Sequence, residues 1–145
     1  MQSILKAAPV REPLYANVPG SKARRRAGVV VASLAILFLL LDSAGKLVQA
    51  APAVQGSVQL GYPESTVRLI GFILLGCLVL YTIPTTSVLG AILLTGYLGG
   101  AVAAQLRVGN PLLTHTLFPI YLAVLIWGSL YLREDRLRAL LPLRR

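Results

Sequence analysis

Four long apolar runs separated by short polar stretches dominate the chain, and the third is the clearest. Residues 86–106 contain no charged side chain. A helix rises about 1.5 Å per residue, so about 20 such residues cross the ~30 Å hydrocarbon core of a bilayer. The pattern predicts helices over about 27–50, 64–83, 86–107 and 112–132. The fold class is therefore all-α, a bundle of four transmembrane helices.

Proline and glycine punctuate these runs. Pro52 stops the first helix, because a proline pushes the residue before it out of the helical region. Residues 52–63 form a connection with room for one short interfacial helix over 53–60. Glu64 or Ser65 can serve the N-terminus of the second helix. Pro84 and Thr85 leave space only for an antiparallel hairpin between helices two and three. Val108-Gly109-Asn110-Pro111 turns the chain again. Pro119 follows His115 by four positions, so its ring conflicts with the His115 carbonyl and a kink is expected in the fourth helix.

Composition supports a membrane protein. Hydrophobic residues make up 56% of the 145 positions and charged residues 13%; a soluble domain has about 45–50% and about 25%. Mean hydropathy is +0.73. The formal net charge of +9 does not indicate nucleic acid, because the basic residues sit almost entirely in two flanking segments. Residues 1–26 read as a flexible basic tail with Pro9, Pro13 and Pro19 and the cluster Lys22, Arg24, Arg25, Arg26. Residues 133–145 read as a second charged tail. An excess of Lys and Arg marks the cytoplasmic side, which places both termini in the cytoplasm. A cleaved leader is the alternative for the first run, but Asp42 and Lys46 intervene before the small residues near Ala50. The lone Cys77 lies in an apolar run and reads as a small buried hydrophobe.

Two side-chain patterns stand out. Gly96, Gly99, Gly100 and Ala103 recur at three- and four-residue spacing and share one face of the third helix. Small residues let helix backbones approach closely in a bilayer, so this face is expected to pack on a neighbouring helix or on a second copy of the chain. Arg107 continues the stripe and is expected to point inwards. The second pattern is a polar cluster at the outer ends of the helices: Asp42, Lys46, Glu64, Arg68, Arg107 and His115. Read as interfacial pairing, it joins Asp42 with Lys46 and Glu64 with Arg68. In a competing arrangement Arg107 takes Asp42 as a buried partner. Read functionally, the cluster lines an outward pocket for an anion or a quinone headgroup. A single histidine excludes a haem held by two histidines of one chain. The chain also lacks the ligands of a zinc site. No nucleophile–base pair, phosphate loop or metal motif is present, so no catalytic, cofactor-binding or metal residue is assigned.

Several segments resemble the DoxX-like membrane proteins: Leu41-Asp42-Ser43-Ala44-Gly45-Lys46-Leu47, Leu60-Gly61-Tyr62-Pro63, Leu80-Tyr81-Thr82-Ile83-Pro84, Asn110-Pro111 and Leu117-Phe118-Pro119. The most specific is Leu89-Gly90-Ala91-Ile92-Leu93-Leu94-Thr95-Gly96-Tyr97-Leu98-Gly99-Gly100-Ala101. The resemblance spans residues 41–132. It implies a small four-helix bacterial protein of the inner membrane, of a family whose founding members are associated with membrane quinone redox complexes. Gln105 stands where many relatives have a histidine, and Thr85 where they have a basic residue.

Three functions fit this pattern. The first is a non-catalytic membrane component, partnered with a redox complex. The second is a subunit that handles quinone directly, near His115 or Arg107. The third is a small transporter. It fits least, because the only carboxylate of the first helix, Asp42, lies near the surface and close to Lys46. The lipid bilayer is the partner common to all three.

Overall fold

The computed structural model describes residues 20–134 and 137. The expected tails fall largely outside the described residues, at 1–19, 135–136 and 138–145. The described chain is all-helical: α1 (Gly20–Leu47), α2 (Ala51–Gln59), α3 (Glu64–Thr82), α4 (Ser87–Arg107), a π-helical turn (Leu112–Thr116) and α5 (Phe118–Arg133). Four segments are long and apolar enough to cross a membrane: Lys22–Leu47, Glu64–Thr82, Ser87–Arg107 and Leu112–Arg133. Their large apolar side chains, among them Leu34, Leu41, Leu69, Phe72 and Val124, point outwards. That is the reverse of a soluble bundle and suits a lipid surround, making this a multi-pass membrane protein.

The boundaries follow local chemistry. α1 starts at Gly20, so the cluster Lys22–Arg26, expected within the tail, is already helical. It ends at Leu47, three residues short of the expected end, because Gln49 adopts a left-handed conformation (φ 53°). The Val48 and Ala50 amides donate back to the Ala44 and Gly45 carbonyls. α2 then begins at once, with Pro52 in its first turn, where a missing N–H costs nothing. Neither Glu64 nor Ser65 caps α3; the cap position is Pro63, whose carbonyl accepts from Thr66 Oγ1 at 2.8 Å.

The α3–α4 hairpin is tight. Ile83 is extended ahead of Pro84, and Thr86 Oγ1 donates to the Leu80 carbonyl at 2.8 Å. At the other turn, the fourth membrane segment is broken rather than kinked. The Leu117 amide donates to the Leu112 carbonyl, a five-residue step that closes the π turn, and α5 begins afresh with Pro119 in its first turn. Pro119 has no N–H to offer the His115 carbonyl, so a continuous ladder could not pass this point.

The helices close into a ring in which α1 packs on α3, α3 on α4, α4 on α5 and α5 on α1. The core is Ala35, Leu39, Leu74, Leu78, Tyr81, Ala91, Leu94, Leu98, Leu122, Ile126 and Leu130, with Cys77 among them as a buried apolar side chain. One end of the bundle carries the α3–α4 hairpin, the start of α1 and the end of α5 (the hairpin end), and the other carries α2 and the α4–α5 turn (the α2 end).

Among the described residues, three glycines make close helix contacts, and none belongs to the small-residue stripe. A Cβ at Gly28 would lie 2.8 Å from Leu132 Cβ, at Gly71 2.9 Å from Lys46 Cβ, and at Gly90 2.5 Å from Tyr81 Cα. A Cβ at Gly96, Gly99 or Gly100 would meet no atom within 4 Å. Ala103 is exposed as well. The expected packing of this stripe within the chain is therefore corrected. The short hairpin draws α3 and α4 together at Gly90, while the stripe glycines, nearer the α2 end, face open space.

Candidate functional site

At the α2 end the helices border a partly open cavity of about 840 Å³. Its floor is apolar, built from Leu39, Leu98 and Leu122. Its walls are Phe38 of α1, Ile70 and Ile73 of α3, Gly96, Gly100 and Ala101 of α4, and Phe118 of α5. α2 lies across the top and contributes Pro52, Ala53, Gly56 and Ser57. Of the small-residue stripe, Gly96 and Gly100 line this cavity, while Gly99 and Ala103 do not.

Polar groups converge on this apolar chamber from every side. Asp42 and Lys46 project from α1 one turn apart and form an ion pair. Gln105 of α4 accepts from the Asn110 amide of the following turn. Tyr97, Tyr62 and His115 complete the lining, and His115 Nδ1 shares a hydrogen bond with Thr114 Oγ1 at 2.8 Å. The one acid and the one lysine in the lining neutralise each other. A chamber of this kind, mostly apolar with a few fixed polar groups and within the ~300–1,000 Å³ of small-molecule sites, suits a neutral polar head on an apolar body. It holds no nucleophile–base arrangement, and no cluster of metal-ligating side chains occurs among the described residues.

The expected polar cluster divides in two. Asp42, Lys46 and His115 line the cavity. Glu64, Arg68 and Arg107 are exposed and do not line it. Arg68 donates to Gln49 Oε1 at 3.0 Å instead of pairing with Glu64. Arg107 donates to the Leu60 carbonyl at 2.5 Å instead of reaching Asp42, whose partner is Lys46. The physical reason is the position of Arg107 on the open side of α4, next to the turn that follows α2. The two arginines therefore hold the two ends of α2, from α3 and from α4.

Tyr97, Gln105 and Asn110 were not part of the expected cluster. A tyrosine in the middle of a charge-free span was the available signal for Tyr97. Gln105 and Asn110 give a signal only once the turn brings them together.

A second polar group lies at the hairpin end. The Tyr81 hydroxyl is buried, 2.5 Å from Ser129 Oγ and 3.2 Å from the Ile126 carbonyl. Arg133, placed by the sequence in the charged tail, is instead the last residue of α5. Its guanidinium lies 5.6 Å from the centre of the Tyr81 ring. Arg133 also donates to the Tyr81 hydroxyl at 3.5 Å, while its Nε is buried without a partner among the described residues; the hydroxyl's bonds to Ser129 and Ile126 fasten α3 to α5.

No curated protein and no solved structure matches this chain. A family model described as the DoxX-like family matches residues 30–129, which takes in the whole cavity lining and begins upstream of the resemblance seen at Leu41. The chain belongs to the DoxX-like family.

Proposed function

We propose that this protein is a non-catalytic component of a bacterial inner membrane whose task is to hold a small, neutral-headed amphiphile at the α2 end of its bundle, for use by a partner protein. The cavity of about 840 Å³ carries this reading. It combines an apolar body, a self-neutralised Asp42–Lys46 pair and hydrogen-bonding groups from Tyr97, Gln105, Asn110 and His115. Membrane quinones are amphiphiles of this class, and the family's association with quinone redox complexes agrees with that choice. The basic residues flanking the bundle support an orientation with both termini in the cytoplasm and α2 on the outer face.

Direct handling of quinone by this chain is the second reading, favoured by His115 lining the same chamber. It requires proton exchange with the bound head, whereas holding requires none. Purification in mild detergent, with identification of co-purifying proteins and of extracted quinone, tests the proposal. A redox partner and a bound amphiphile together support it. Recovery of the chain alone, with no bound small molecule, contradicts it. A reporter fused at Gly56 that reads as cytoplasmic contradicts the orientation.

A further inference from the structure

Three of the four helix seams are closed at or near the level of the cavity. The α1–α3 seam is closed by the buried Ser43 hydroxyl, which donates to the Gly71 carbonyl at 3.0 Å, and by the close approach of Gly71 to Lys46. The α1–α5 seam is closed by Phe38 and Phe118, whose rings meet edge to face at 5.1 Å. The α4–α5 seam is tied by Trp127 Nε1 to Thr95 Oγ1 at 2.9 Å, and above it by Thr116 Oγ1 to the Asn110 carbonyl.

The α3–α4 seam differs. It is pinned below by Gly90 against Tyr81 and bridged above by Arg107 to the Leu60 carbonyl. Between these points Gly96 and Gly100 put no side chain into the gap and have no neighbour within 4 Å of a Cβ. Both glycines line the cavity. Across the gap Ile73 is half exposed. It lines the cavity on one side and, on the other, the apolar outer groove it shares with Phe72, Gly76 and Leu93. One residue thus borders both the interior chamber and the lipid-facing surface.

We propose that the cavity is loaded sideways from the bilayer, through a window between α3 and α4 edged by Gly96, Gly100 and Ile73. The occupant is an amphiphile whose apolar chain stays in the window and the groove beyond it while its neutral head reaches Tyr97, Gln105 and Asn110. The proposal rests on the ligand-holding reading above and adds the route. It also gives Gly96 and Gly100 a purpose: a side chain at either position would narrow the window. α2, held at both ends by Arg68 and Arg107, covers the aqueous side.

Cysteine labelling in nanodiscs of phosphatidylethanolamine and phosphatidylglycerol tests the route without knowledge of the ligand. Ala101→Cys places a thiol on the cavity wall, Val124→Cys places one on the lipid-facing surface of α5, and the parent chain with its buried Cys77 sets the background. The probes are dodecyl-maleimide, which partitions into lipid, and a charged methanethiosulfonate, which does not. The proposal expects dodecyl-maleimide to label Ala101→Cys, and Gly96→Leu in the same chain to slow that labelling by about tenfold while leaving Val124→Cys unchanged, since thiol reaction follows access. Gly100→Phe is the second plug should Gly96→Leu fail to fold, judged by its melting temperature. Labelling by the charged reagent that neither plug slows would overturn the window and leave the cavity reading intact. An unreactive Ala101→Cys beside a reactive Val124→Cys would overturn both, because the chamber would then be closed to either phase.

Discussion

Gly90 of α4 lies against the backbone of Tyr81 in α3, so close that a Cβ on the glycine would sit 2.5 Å from the Tyr81 Cα. This contact fixes the hairpin end of the α3–α4 pair. The cavity lies towards the other end of the same two helices, bordered there by Ile70 and Ile73 of α3 and by Gly96 and Gly100 of α4.

Gly90→Ala should therefore destabilise the fold by about 2–3 kcal/mol or more, since backbone has to move to admit the methyl group. Gly96→Ala and Gly100→Ala should leave stability unchanged or raise it by about 0.5–1 kcal/mol, because alanine suits a helix better than glycine where nothing is in the way. Thermal melting in detergent separates the three. Equal losses at all of them would mean that the stripe does pack.

Tyr81→Phe removes the hydroxyl shared by Ser129 and the Ile126 carbonyl and leaves the Ser129 hydroxyl with one bond fewer in a buried site. The expected cost is about 1–3 kcal/mol. Ser129→Ala combined with Tyr81→Phe should cost clearly less than the two singles summed, because the pair acts as one unit. Additive melting-temperature losses would contradict that.

Asp42 and Lys46 should be coupled, and Asp42 and Arg107 should not. Asp42→Asn strands the Lys46 ammonium, whose side chain is only 13% exposed. The single change should cost about 1–3 kcal/mol, below the value for a fully buried pair because Asp42 is more open. Adding Lys46→Gln should recover part of the loss, while adding Arg107→Gln should add its own effect independently. A denaturation-based double-mutant cycle reads both, and coupling of Asp42 to Arg107 would contradict the geometry.

Arg107→Gln breaks the hold on the Leu60 carbonyl. Amide hydrogen exchange should quicken in the segment from α2 to Tyr62 and stay unchanged in the core of α3, since a local tie governs local opening. Uniform protection across both would show that the tie is without consequence.

The membrane spans could be read from the chain because a bilayer leaves little freedom: an uncharged run of the right length has to be a helix. The hairpin at Pro84 and the turn at Gly109 were legible for similar reasons of backbone chemistry. The role of the glycine stripe was not. Spacing shows that Gly96, Gly99 and Gly100 share a face, but which face meets a partner is decided by the pinch at Gly90, a glycine that sits alone. Arg107 misled for another reason. Its partner is a backbone carbonyl, and a sequence displays side-chain partners only. The break at Pro119 was placed correctly, but a π turn in place of a kink depends on how the chain leaves Pro111, which local pattern does not specify.

The central claim is that the chamber at the α2 end holds an amphiphile, and mass spectrometry of organic extracts tests it most directly. The parent chain and Ala101→Phe, whose ring would fill the chamber, are purified side by side from native membranes in mild detergent. The account predicts one neutral amphiphile enriched near one per parent chain and reduced about tenfold in Ala101→Phe at an unchanged melting temperature, as expected where bound volume is replaced by side chain. No species enriched above the surrounding lipid, or equal recovery from both proteins, would contradict it.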